Sequence, residues 1–152
     1  MLPKTHIILG IIFSILIYFI FKVSLFDITL IFLASVFIDF DHYIWYFYEK
    51  KSLNLKHAYY WFIENRKKWL MLSKKQRGDY KRVYLIFHSI EFWIFLLILS
   101  FINRIFLLIL VGVLFHMIFD YIEIINKRER FYPKLSLVLT YLNNSKRKKN
   151  FF

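Results

Sequence analysis

Residues 28–48 read ITLIFLASVFIDFDHYIWYFY, a run apolar enough to lie in a bilayer that nevertheless contains Asp39, Asp41 and His42. Ionisable side chains at membrane depth cost about 2.5 to 3.5 kcal/mol each on insertion scales, so they usually face a cavity, bind an ion or pair with one another. Other apolar segments carry partners for them, namely His6, His88 with Glu91, and His116 with Asp120. The sequence therefore predicts a buried polar site inside a membrane protein.

The composition excludes an ordinary soluble domain. Apolar residues make up 59% of the 152 and aromatic residues 22%, which leaves too little polar surface to cover a globule. The chain has no cysteine, so any metal site must use nitrogen and oxygen ligands. The net charge of +12 could suggest a nucleic-acid partner. However, Lys, Ile, Phe, Tyr and Asn are all abundant, and this composition resembles that of proteins encoded by an AT-rich genome. Because no nucleic-acid motif is present, nucleic acid is not an expected partner.

Four segments approach the roughly 20 residues that a helix needs to cross a bilayer. They are Thr5 to Phe26, Ile28 to Tyr48, Val83 to Ile102, and Ile105 to Ile125. Short links join the first to the second and the third to the fourth, which is typical of helical hairpins. We expect an all-α polytopic membrane protein with four transmembrane helices in two hairpins. Residues 1–142 would form one transmembrane domain, and residues 143–152 a basic, disordered tail.

The basic residues predict the orientation of the chain. Of 22 Lys and Arg, 11 lie between Lys50 and Arg82 and eight lie from Lys127 onward. The positive-inside rule then places both termini and the middle link on the cytoplasmic side of the plasma (inner) membrane. The link at about 50–82 alternates aromatic and basic residues, which predicts an amphipathic interfacial helix. We expect the basic link and tail to lie on anionic lipid.

Helical spacing groups the polar residues. Members of a pair share a helix face when they lie three or four residues apart, as do Asp39 with His42, His88 with Glu91, and His116 with Asp120. Asp41 points elsewhere on an ideal helix, so it either joins the group through local unwinding or serves as an outer partner. Up-and-down hairpins bring all these residues to the cytoplasmic side. Carboxylates with imidazoles suit a divalent ion, zinc foremost, with manganese or iron as alternatives.

The motifs occur in a recognisable order. The chain contains Thr5-His6 followed by Gly10, then Asp39-Phe40-Asp41-His42, His88-Ser89 and His116-x-x-x-Asp120. In this order, over most of the chain, they resemble the small membrane-bound, metal-dependent hydrolases described as LexA-binding, inner-membrane-associated hydrolases. Two positions depart from that pattern. Ile38 stands where the family often has proline. The family also often has a His-Arg pair shortly before its His-Ser, whereas here Lys81 and Arg82 precede His88-Ser89 without a histidine beside them.

The resemblance implies a metal-dependent hydrolase. Its ligands would be His6, Asp39, Asp41, His42, His88, His116 and Asp120, enough for one ion with outer partners or for two ions. The substrate would be a lipid or another membrane-associated ester or phosphoester. We expect Glu91, next to the cluster, to act as general base or proton shuttle. Lys81 and Arg82, at the headgroup level above His88, would bind a substrate phosphate.

Two other functions fit the same residues. In a non-enzymatic transporter or channel, the ionisable side chains would form a relay for divalent metal or protons. A transporter or channel needs a row of polar side chains that reaches the opposite face of the membrane, whereas an enzyme confines its ligands to one half of the bilayer. A third interpretation is a degenerate structural protein, or one that tethers DNA through its basic segments, for which salt-sensitive DNA binding would be diagnostic.

Overall fold

Eight helices make up the described part of the chain, residues 3–127, 129, 135–147 and 149–151, in a computed structural model. In chain order they are α1 (Pro3–Phe21), α2 (Leu25–Phe37), α3 (Phe40–Lys50), α4 (Leu55–Met71), α5 (Lys74–Gly78), α6 (Ile90–Ser100), α7 (Arg104–Asn126) and α8 (Leu137–Asn144). Within these ranges there is no β-strand, only an isolated bridge between Tyr80 and Lys149. The predicted all-α class is confirmed.

Helices α1, α2, α6 and α7 form the central bundle, in which α2 packs against both α1 and α7, and α6 packs against α7. At one end of the bundle, Arg104 at the start of α7 donates to both carboxylate oxygens of Asp27 at 2.5 and 2.7 Å. Asp27 also forms a capping box with Ser24, which begins α2. The start of α1, the end of α2, the start of α6 and the C-terminal half of α7 meet at the opposite end, where the ionisable residues lie.

Two helices of the described chain are long and apolar enough to cross a membrane by length and composition, Lys4–Phe21 of α1 and Arg104–Asn126 of α7. Apolar side chains such as Ile8, Ile12 and Phe19 point out of the bundle and are exposed. Lipid is the solvent that suits such a surface. The other two predicted spans are not single long helices. The second is divided into α2 and α3, and the third is reduced to the 11 residues of α6.

The division of the second span falls on the polar cluster. A turn at Ile38 and Asp39 separates α2 from α3, and the amide of His42 donates to the Asp39 carbonyl at 3.0 Å. The chain thus unwinds locally here, but the unwinding does not bring Asp41 into the cluster of ligand atoms. Hydropathy did not reveal it, because Ile38 and Phe40 keep the run apolar. Irregular backbone at membrane depth is tolerated where protein covers it or where it lines a cavity.

The third span is shortened by a polar cap. Ser89 accepts from the amide of Phe92 and donates to the carbonyl of Ile86, so α6 begins at Ile90 and not near Val83. The predicted interfacial helix in the basic link corresponds to α4. Its N-cap Asn54 accepts from the amide of His57.

The described part of the tail differs from the predicted disorder. Asn143 and Asn144 belong to α8. Arg147 donates to the Tyr80 carbonyl at 2.6 Å, and Phe151 packs against Trp69 and Tyr80 with ring centroids 5.0 and 5.3 Å apart. Charge predicted a solvated tail, but in its described part Arg147 and Phe151 have partners in the fold.

Two glycines let the bundle helices approach closely. A Cβ on Gly112 of α7 would clash with the carbonyl oxygen of Ile31 and lie 2.9 Å from the Cβ of Ala34. A Cβ on Gly10 of α1 would lie 2.6 Å from the Ser35 Oγ. Small residues at helix crossings permit such backbone contact in membrane proteins. The contact sets α1 and α7 against the part of α2 that leads into the polar cluster.

Candidate metal centre

Six ionisable side chains from four parts of the chain meet at one end of the bundle. His6 belongs to the first turns of α1, and His88 immediately precedes α6. Asp39 lies in the turn between α2 and α3, and His42 lies near the start of α3. His116 and Asp120 belong to α7. The structure thus brings together every sequence-predicted ligand except Asp41, which lies behind His88.

The imidazole Nε2 atoms point at the same two carboxylates. Asp39 Oδ1 lies 3.7 Å from His42, 3.5 Å from His88 and 3.6 Å from His116. Asp120 Oδ2 lies 3.7 Å from His88 and 3.5 Å from His116, and its Oδ1 lies 3.4 Å from His6. Within the described residues, the Nε2 atoms of His6, His88 and His116 make no hydrogen bond although they are buried.

These separations fit a shared ion better than hydrogen bonds. Nitrogen and oxygen ligands lie about 2.0 to 2.2 Å from zinc in tetrahedral sites, so neighbouring ligand atoms are about 3.3 to 3.6 Å apart. The observed N to O distances run from 3.4 to 3.7 Å, whereas hydrogen bonds of this type are about 2.7 to 3.2 Å long. A buried imidazole nitrogen without a hydrogen bond is costly unless something else occupies its lone pair.

Asp41 orients one of these imidazoles. Its Oδ2 accepts from the amide of Phe87 at 2.7 Å and lies 3.1 Å from the His88 Nδ1. Because a carboxylate accepts, the proton of His88 sits on Nδ1, which leaves the lone pair of Nε2 directed at the centre. A carboxylate behind a ligating histidine is the usual way to fix its tautomer and raise its basicity. Asp41 therefore occupies the outer-partner position that the sequence had left as one alternative.

A backbone carbonyl does the same for a second imidazole. His116 Nδ1 donates to the Ser35 carbonyl oxygen at 2.8 Å, so its Nε2 also presents a lone pair. The His6 ring stacks on the His116 ring at 3.8 Å between centroids. Sequence reasoning missed Ser35, because a carbonyl acceptor exists at every residue and carries no signal. The close approach allowed by Gly10 and Gly112 was the available clue.

The described side chains contain three overlapping groups that could hold a metal ion. Each offers three ligand atoms within 4.8 Å of one another; the groups are His6 with Asp39 and His116, Asp39 with His42 and His88, and His88 with His116 and Asp120. Since the groups share members, one ion or two ions fit this donor set. The donors are imidazole and carboxylate, which suit zinc, manganese and iron.

The centre is closed on one side and open on the other. The side chains of His6, His88, His116 and Asp120 are at most 3% exposed, whereas His42 is 32% and Asp39 is 22% exposed. Catalytic metal sites keep one position accessible, unlike structural sites. The side of Asp39 and His42 is therefore the one from which the cluster is accessible.

Glu91, the predicted general base, is not part of this cluster of ligand atoms. Its carboxylate accepts from Ser136 Oγ at 2.6 Å and from the amides of Leu137 and Val138 at 3.1 and 3.2 Å. These are the first amides of α8, so Glu91 acts as a cap for that helix from across the fold.

Exchanging Glu91 for Gln should lower stability and leave metal content unchanged. The amide keeps one acceptor oxygen but loses the charge that favours the helix N-terminus, so we expect a loss of about 1 kcal/mol. Thermal unfolding and elemental analysis of the purified variant measure the two effects. Loss of hydrolysis in a well-folded E91Q protein that keeps its metal would support the catalytic role that the sequence predicted for Glu91.

Lys81 and Arg82, the predicted substrate contacts, lie beside a cavity near the end of α3. They are carried by the segment between α5 and α6 that continues to His88. None of the described residues that line this cavity is a candidate metal ligand.

No protein-family model, curated protein or solved structure matches the chain.

Proposed function

We propose that the chain is a membrane-embedded, metal-dependent hydrolase that acts on a lipid or another membrane-associated ester or phosphoester. The observation that carries this proposal is the convergence of three buried imidazole Nε2 atoms, none with a hydrogen bond in the described chain, on Asp39 and Asp120. Two of these imidazoles have their Nδ1 atoms engaged by Asp41 and the Ser35 carbonyl. This is the donor set and the outer support that metal-binding histidines require.

Zinc is the ion that we propose first, with manganese or iron as alternatives. A divalent ion supplies such a centre with a Lewis acid that polarises the scissile oxygen and lowers the pKa of a coordinated water toward 7. The six side chains of the cluster would hold the ion and leave it accessible on the side of Asp39 and His42. At that opening lies His42, which is 32% exposed, has its Nε2 3.7 Å from Asp39 Oδ1 and would be one of the ligands of the ion.

The packing beyond the centre supports an enzyme over a conduit. On the buried face of α2, Ile31 separates Ser35 from Asp27, and Ile31 is 2% exposed. Gly112 packs directly on the Ile31 carbonyl from the other side. A relay for ions or protons needs polar groups or water along its length, and Ile31 interrupts the polar side chains on this face of α2.

The distribution of charge supports a location in the plasma membrane with both termini cytoplasmic. The centre lies at the end of the bundle nearest the basic link and tail, which by the positive-inside rule is the cytoplasmic end. Anionic lipid is the partner that we propose for these basic segments.

Metal removal tests the function. We expect purified protein in detergent to hydrolyse at least one member of a panel of lipid esters and phosphoesters. Chelation should reduce that rate by at least about 100-fold, because the ion supplies several kcal/mol of transition-state stabilisation. Re-addition of zinc, manganese or iron should restore it and identify the ion. Hydrolysis that survives complete metal removal contradicts the proposal, and metal flux into proteoliposomes without hydrolysis would favour the transporter.

A further inference from the structure

The rings of His6 and His116 lie side by side and almost parallel. Their centroids are 3.8 Å apart and their planes differ by 14°. Both Nε2 atoms are buried and make no hydrogen bond within the described chain. The lone pair of an imidazole nitrogen lies in the plane of its ring, so two stacked rings direct their lone pairs at two separate points. One ion therefore cannot bind both nitrogens in good geometry, although the two histidines occur in one candidate group.

Asp120 faces these two rings with different oxygens. Its Oδ1 lies 3.4 Å from the Nε2 of His6, whereas its Oδ2 lies 3.5 Å from the Nε2 of His116. Both distances match the spacing of neighbouring ligand atoms around one zinc ion, which is about 3.3 to 3.6 Å. The carboxylate is thus placed to give one oxygen to each of two ions.

The spacing of the rings agrees with that of a pair of ions. The two ions of phosphatases, nucleases and aminopeptidases lie about 3.5 to 4 Å apart. The lone pairs of His6 and His116 follow two ring planes whose centroids are 3.8 Å apart, and both nitrogens face the same carboxylate. Ions held by the two nitrogens would therefore be separated by about the distance between the rings.

Other ligand atoms complete the position in front of His116, which we call the His116 position. The Nε2 of His88 lies 3.7 Å from Asp120 Oδ2 and 3.5 Å from Asp39 Oδ1. The Nε2 of His116 lies 3.6 Å from the same Asp39 atom. Two imidazoles and two carboxylates therefore surround this position. His42 shares a candidate group with Asp39 and His88, so it adds a donor on the exposed side.

The position in front of His6, which we call the His6 position, is more enclosed. Its ligand atoms are the Nε2 of His6 and the Oδ1 of Asp120, whose side chains are 3% and 1% exposed. Asp39 offers a third, since one of its ligand atoms lies within 4.8 Å of one of His6. Three protein ligands are the number that zinc needs when a water or a substrate fills the remaining place.

We infer that the cluster holds two divalent ions bridged by Asp120, one at the His6 position and one at the His116 position. The inference rests on the proposed function, for which it sets the number of ions at two. Two ions at such a spacing stabilise both the attacking and the leaving oxygen of a displacement. The competing interpretation is a single ion at the His116 position, with His6 serving only to pack on His116.

The zinc content of full-length protein in detergent tests the inference. The protein is stripped of metal, loaded with excess zinc, separated from free zinc and subjected to elemental analysis. We expect about two equivalents in the wild type and about one in H6F, which lacks a ligand of the His6 position. Phenylalanine keeps a ring that can stack on His116 but has no lone pair. A purely packing role for His6 would therefore leave the zinc content of H6F unchanged.

H57A is the matched control for the loss of a histidine. The Nδ1 of His57 lies 2.6 Å from the Tyr46 hydroxyl, away from the cluster. We expect H57A to keep about two equivalents, because both positions retain all their ligands.

Asp120→Asn tests the bridge and provides a second variant if H6F does not fold. The amide nitrogen of asparagine has no lone pair to give to an ion, so only one of the two carboxylate contacts can be replaced. We expect D120N to hold at most about one equivalent of zinc. Thermal unfolding establishes that each variant is folded before its metal content is compared.

Four results would overturn the inference. They are a single equivalent in the zinc-loaded wild type, equal zinc content in the wild type and folded H6F, two equivalents in D120N, or the loss of one equivalent in H57A. A single equivalent together with hydrolysis that chelation abolishes would remove only this inference. Two equivalents that fall to one in H6F, without hydrolysis of any ester or phosphoester in the panel, would remove only the proposed function.

Discussion

Replacing His88 and His116 together by alanine is expected to abolish metal binding. The wild type should carry one or two equivalents of a transition metal, and H88A/H116A should carry less than about a tenth of that amount. Each of the three candidate groups contains at least one of these histidines, so the double variant removes a ligand from all of them. Structural and catalytic zinc sites need at least three protein ligands. Elemental analysis of both proteins, purified side by side in detergent, measures the difference.

Two further variants refine this result. D41N leaves all the converging ligand atoms in place but weakens the hydrogen bond to His88 Nδ1, so we expect a 10- to 100-fold loss of metal affinity, about the range for outer partners of ligating histidines. H57A removes a histidine whose Nδ1 lies 2.6 Å from the Tyr46 hydroxyl, away from the centre, and should keep its metal. A metal-free wild type that folds as well as H88A/H116A would contradict the metal centre and leave the cluster a packing or relay role.

Exchanging Gly112 for alanine is expected to destabilise the bundle by about 3 kcal/mol or to prevent folding. The new Cβ would overlap the Ile31 carbonyl oxygen, which is backbone and cannot rotate away, so α2 and α7 must separate. Such a shift would also move the Ser35 carbonyl away from His116 Nδ1. We therefore expect G112A to bind metal more weakly than the wild type. Thermal unfolding in detergent and metal content measure both effects.

The other two glycines are matched controls for this substitution. G78A should be neutral or slightly stabilising, because a Cβ at Gly78 meets nothing within 4 Å and the change raises helix propensity. G10A should fall between the two, since its Cβ would meet the Ser35 Oγ, a side-chain atom that has other rotamers available. Equal stability of G112A and G78A would refute the close contact between α2 and α7.

Local chemistry was enough to predict several features of the site. Polar residues are rare in apolar helices and costly there, so His6, Asp39, His88, His116 and Asp120 stood out by type. Helical spacing paired His116 with Asp120, and the structure places His116 Nε2 3.5 Å from the carboxylate of Asp120. Spacing also paired His88 with Glu91, yet Glu91 turns away to cap α8. Residue spacing shows that two side chains share a helix face. It does not show that a group far away in sequence, such as the start of α8, will bind one of them instead.

The amino-acid sequence by itself determined the all-helical class, the apolar surface and the identity of the ionisable side chains, because these follow from composition and periodicity along the chain. Tertiary structure alone decided the break between α2 and α3, the outer position of Asp41, the role of the Ser35 carbonyl and the packing of the tail on Tyr80. Each of these depends on a backbone group or on a partner far away in sequence. Backbone groups are alike at every residue, so only the folded chain shows which of them a side chain meets.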